Sequence, residues 1–169
     1  VWEGCESLRP MVHSRFSAAA AALGGVLYVC GGSDGRQALP YAERYLPDTD
    51  VWQSLPVMHE ARFAACTVGL GGRLFVCGGA GTSHRGLRSV ECLDPVAGAW
   101  QAARPLVQGR CAAAAAAVAG RLYVVGGCDE RRVLASAERY CPEQGTWETL
   151  RPMVRGRAHV GGMVAALLG

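Results

Sequence analysis

The side chains in this sequence that could carry chemistry are eight cysteines, four histidines, fourteen acidic residues and seventeen basic ones, every one of them arginine. The cysteines contain no Cys-x-x-Cys pair, and His13, His59, His84 and His159 are scattered, so no ligand spacing supports a zinc centre. The Gly-Gly pairs at 31–32, 78–79 and 126–127 are followed by no Lys-Ser/Thr and form no Gly-x-Gly-x-x-Gly. They are therefore not phosphate loops. Glycine there is read as meeting a backbone need, a special φ/ψ or a close approach. Glu43, Glu91 and Glu138 recur at spacings of 48 and 47. Carboxylates in such a series are read as buried partners of arginine or backbone, because buried charges are paired. No His/Tyr/Cys cluster and no acid–base pair breaks the series, so no enzyme, metal or cofactor is expected.

The elements that position these residues follow from a repeat. "RFSAAAAALGGVLYVCGG" from Arg15, "RFAACTVGLGGRLFVCGG" from Arg62 and "RCAAAAAAVAGRLYVVGG" from Arg110 superimpose, and Arg157 opens a fourth copy. Downstream come "AERYLPDTDVW", "VECLDPVAGAW" and "AERYCPEQGTW", with Trp52, Trp100 and Trp147 each nine residues after the glutamate. Ala112–Ala117 taken alone favours helix. The second copy, however, places Cys66, Thr67 and Val68 in those slots, which favour strand. One architecture must serve every copy, so the alanines are read as an innermost strand where backbones crowd. Each unit then has four antiparallel strands: a from the arginine, b ending at Gly-Gly, c around the glutamate and d from the tryptophan. Four short strands on a period near ~50 indicate an all-β fold of β-propeller blades. The predicted units are residues 15–61, 62–109 and 110–156, with a partial blade (a d strand) over 1–14 and a closing a-type strand over 157–169.

The diglycine, the tyrosine and the spaced tryptophan resemble the kelch motif. "GGSDG", "AERYxP…W" and "W…LRPMxxGR" are similar, more narrowly, to the repeats of kelch-like (BTB–kelch) proteins. That resemblance implies a substrate-recognition propeller of a cullin-3 ubiquitin-ligase adaptor, in the cytoplasm or associated with cytoskeleton or nucleus. Cullin-3 would be held through BTB and BACK domains that this sequence does not contain. Actin binding is the alternative, and a kelch-fold enzyme a more distant one. The start at Val1, the three units and the closing strand together suggest the C-terminal half of a longer propeller.

Composition agrees with a globular chain, at 50% hydrophobic and 18% charged. A net charge of +3 is too small to indicate nucleic acid as a partner. The longest apolar run, Val160–Leu168, is too short to span a bilayer, and no membrane partner is expected. The cysteines occupy slots filled elsewhere by small apolar residues, which suits a reducing compartment. Cys128 alone is expected in an exposed loop, where a lowered pKa would be needed to make it reactive.

Strand alternation puts the b–c and d–a loops on one face and the tight a–b and c–d turns on the other. Length varies between copies only in b–c, with ten, eleven and ten residues. Variable loops on a rigid scaffold are where binding resides. By the kelch-like resemblance, Arg15/Phe16, Arg62/Phe63, Arg110/Cys111 and Arg157/Ala158 contact a bound peptide, together with Ser33, Ala80 and Cys128. Asp34, Arg36, His84, Arg85, Asp129 and Arg131 complete the expected partner-binding set. A ring of arginines suits an acidic peptide, because guanidinium pairs bidentately with carboxylate.

Overall fold

The computed structural model describes residues 7–159. Among them there is no α-helix, only strands and one 3-10 turn at Pro47–Thr49. The first four-stranded sheet is β1 (Ala19–Leu23), β2 (Val26–Cys30), β3 (Ala42–Leu46) and β4 (Val51–Ser54). The second is β5 (Cys66–Leu70), β6 (Arg73–Cys77), β7 (Val90–Asp94) and β8 (Ala99–Ala103). The third is β9 (Ala114–Val118), β10 (Arg121–Val125), β11 (Ala137–Cys141) and β12 (Thr146–Leu150). Each is an antiparallel meander in chain order, so the three sheets are three propeller blades.

Period-2 alternation packs the blades face to face. On β6, Leu74 and Val76 join Tyr28, Cys30, Trp100 and Met58 in the core between blades one and two. Phe75 and Cys77, pointing the other way, join Leu122 and Val124 of β10 in the core between blades two and three. The three inner strands of the middle sheet, β5 to β7, are thus buried on both faces over most of their length, while β8 at its outer edge is largely exposed.

The first strands, β1, β5 and β9, lie innermost and next to one another. A Cβ on Gly69 of β5 would sit 3.0 Å from Leu23 Cδ1 and 3.3 Å from Ala22 O. That convergence accounts for the alanines. Strand overrides their helix propensity from Ala114 onward, but Ala112 and Ala113 precede the strand, and Ala112 takes φ 52°. Ser17 and Ala64 take the same left-handed conformation in their blades, with φ 51° and 49°. The two-residue a–b turn at Gly24-Gly25 has both φ positive, as a tight hairpin requires.

The predicted N-terminal d strand runs partly outside the described residues, and Ser7–Met11 forms no strand. Most of the predicted closing strand, residues 160–169, also lies outside them.

Candidate functional site

The loop face is where each innermost strand begins and each second strand ends. Three backbone bridges mark it: Phe16 with Ser33, Phe63 with Ala80, and Cys111 with Cys128. Behind each bridge sits one arginine–glutamate–diglycine assembly. Arg62 Nη1 donates to Gly78 O at 2.7 Å and Ser89 O at 3.2 Å, and Nη2 donates to Glu91 Oε1 at 2.7 Å. Glu91 also accepts the backbone N–H groups of His59 and Glu60 at 2.7 and 3.1 Å, latching the loop that enters its blade. Arg110 repeats this with Gly126 O and Glu138, and Arg15 with Gly31 O and Glu43.

This corrects the expected ring of arginines. The side chains of Arg15, Arg62 and Arg110 are 0% exposed, and their Nη donors are spent on their own blades. A guanidinium so placed reaches no peptide carboxylate. The glutamates are the buried partners the repeat predicted. Arg157 is exposed; its backbone N–H donates to Leu134 O, and its carbonyl accepts Gly127 N–H at 2.8 Å. Ser33 is buried too, its hydroxyl accepting from Gly35 N–H.

The loops themselves present two neighbouring recesses. Phe16, 58% exposed, and the partly exposed Phe63 wall an aromatic pocket of about 360 Å³ between blades one and two. His84 closes it, its ring packed edge-on to Phe63 at 5.7 Å and its φ at 58°. Arg36, Gln37 and Thr82 complete the rim. Next to it, Arg85, Asp129, Glu130, Arg131 and Arg132 line a charged cleft, crossed by an Arg85–Glu130 ion pair at 3.4 Å.

Asp34 and Asp129 hold the shape of these loops. Asp34 Oδ1 accepts from the N–H groups of Arg36 and Gln37, and Asp129 Oδ1 from those of Arg131 and Arg132. Those backbone bonds hold both carboxyls below their usual range. Cys111 and Cys128 face each other with sulfurs 3.3 Å apart. Sequence reasoning missed Gln37 and Thr82, which occur once and leave no periodic signal. It also missed the sulfur contact, which joins residues 17 apart across a hairpin.

The Kelch motif profile matches residues 14–59, 61–106 and 109–154. The chain belongs to the kelch-repeat family. A kelch-repeat domain is typically a non-catalytic protein-interaction module. Among solved structures, the chain resembles one titled "Structure of YjhT", with a TM-score of 0.78 and 15% identity over 89% of this chain. At that identity the likeness concerns the fold, and the kelch chain spans only 56% of that structure's length. No curated protein matches the sequence.

Proposed function

We propose that the loop face captures a short segment of a target protein, and that this chain is the recognition propeller of a BTB–kelch adaptor for a cullin-3 ubiquitin ligase in the cytoplasm. The observation that supports capture is the pocket between Phe16, Phe63 and His84, an aromatic recess rimmed by polar groups in which Phe16 is 58% exposed. Exposed apolar recesses rimmed by polar groups mark interaction sites, and aromatic and arginine side chains dominate binding energy there. With Arg15, Arg62 and Arg110 buried, Arg36, Arg85, Arg131 and Arg132 supply the positive charge. A segment with one apolar side chain in the recess and a carboxylate toward Arg36 fits this surface. The adaptor role rests on the kelch-like repeat signatures; in it, cullin-3 is held by BTB and BACK domains outside this sequence.

Selection of a random-peptide display library on the chain tests the capture site. Selected peptides should pair an apolar with an acidic residue, and bind Phe63→Ala and Arg36→Ala at least ~10-fold more weakly, about 1.4 kcal/mol. Higher salt should weaken them as well. Asp48→Ala and Gln144→Ala, on the opposite face, should bind normally. Peptides indifferent to the first pair and sensitive to the second would move the site to the other face. For the ligase role, the longer parent carrying Phe63→Ala should still co-precipitate cullin-3 while target ubiquitylation is lost; a parent that never associates with cullin-3 rejects it.

A further inference from the structure

Blades one and two close their loop-face bridge with Phe16/Ser33 and Phe63/Ala80, whereas blade three places a cysteine on each side. Cys111 N–H donates to Cys128 O at 2.9 Å and Cys128 N–H to Cys111 O at 2.8 Å. Residues that exchange both backbone bonds have Cα atoms about 5.5 Å apart, inside the range a disulfide spans. Their sulfurs are already 3.3 Å apart, and both residues are partly exposed. Cys66 and Cys77 are also opposite each other, in the β5–β6 ladder, but both are buried in the core.

We propose that Cys111 and Cys128 are a reversible disulfide site, which clamps the loop 129–133 to the entry of β9. The oxidant is a hydroperoxide. Cys128 sulfur attacks the peroxide, forming an S–O bond as the O–O bond breaks; the sulfur becomes a sulfenic acid and the peroxide an alcohol or water. Cys111 sulfur then displaces the hydroxyl, which leaves as water with the thiol proton, and the S–S bond forms. A dithiol reductant returns two electrons and two protons. Burial and the neighbouring Cys128 sulfur push the Cys111 thiol up to about 12.

The test treats the whole chain with hydrogen peroxide, alkylates it and digests it with trypsin without reductant. Cleavage after Arg110, Arg121 and Arg131 leaves Cys111 and Cys128 on separate peptides. They should be recovered as one species, two hydrogens lighter than the sum and resolved by dithiothreitol, while Cys66 and Cys77 stay alkylated. Amide exchange over 129–133 should slow on oxidation. In Cys111→Ser the link should vanish and Cys128 should gain oxygen. The double variant Cys111→Phe/Cys128→Ser, which copies blade one, should fold and show no oxidation effect on exchange. Wild type in which Cys128 gains oxygen without linking, or in which Cys66–Cys77 links first, overturns the site. Linkage with unchanged exchange overturns the clamp.

Discussion

Arg62 uses its two ends on two blades. Its carbonyl accepts the N–H of Gly32 in blade one at 2.9 Å, while its guanidinium holds Glu91 and Gly78 in blade two. Removing one partner of a buried pair leaves the other charge stranded, at about 3–5 kcal/mol. Arg62→Ala should lower stability by that order in a denaturant melt, and should weaken peptide capture only as far as the fold is lost. A pH dependence follows from Glu43. Burial pushes its carboxyl up, but the Val12 N–H, the bond and charge of Arg15 and the His13 N–H more than offset this, leaving it below the ordinary range. Its folded pKa is therefore lower than its unfolded one, near ~4.3. Its stabilisation is full above that unfolded value and is lost as pH falls through the folded one. The melting temperature should accordingly drop steeply below about pH 4.5, and more gently in Glu43→Gln. Sequence periodicity located these residues correctly yet misjudged the arginines, because a repeated position reports that a contact recurs, not which way the side chain turns.

At the scale of elements, the diglycines show what the blade joint demands. A Cβ on Gly78 would lie 2.4 Å from Arg110 O, and one on Gly31 would lie 2.3 Å from Arg62 O. Gly98, in the c–d turn, has a similar φ of 63° but nothing near its Cβ position. Both replacements by alanine carry the left-handed penalty of roughly 1–2 kcal/mol. Only Gly78→Ala must also push two blades apart, so its melting temperature should fall well below that of Gly98→Ala, measured side by side. The strands were legible because every copy had to obey one pattern, and the second copy's Cys66-Thr67-Val68 decided how the alanines fold. Their first two residues were not legible as turn, since nothing in six identical letters marks Ala112 as the left-handed one.

Over the whole molecule, joints of the same form link the blades. Gly79 N–H donates to Arg110 O at 2.9 Å, and further in, Ala64 N–H donates to Ser17 O, Ala112 N–H to Ala64 O and His159 N–H to Ala112 O at 2.8, 2.7 and 3.0 Å. A defect at one joint should therefore be felt on both sides. In Arg110→Ala, hydrogen exchange should quicken at Gly79 in blade two as well as at Gly126 in blade three, while Gly31 in blade one keeps its protection. Quickening confined to blade three would mean that the blades open independently. The loop face was legible from its varying length, but its pocket was not, since Phe16, Phe63 and His84 come from three loops that only the curvature of stacked blades brings together.

The three inner bonds all run the same way, each blade's left-handed residue donating to the one before it. A joint of that kind is a plug and a socket, and blades two and three each show one of each. A segment cut just before one arginine and spliced in before the next would bring its own plug and accept its neighbour's socket. At the level of the backbone the blade is thus a repeating part: a duplicated unit would meet its neighbours through bonds that ask for no particular side chain.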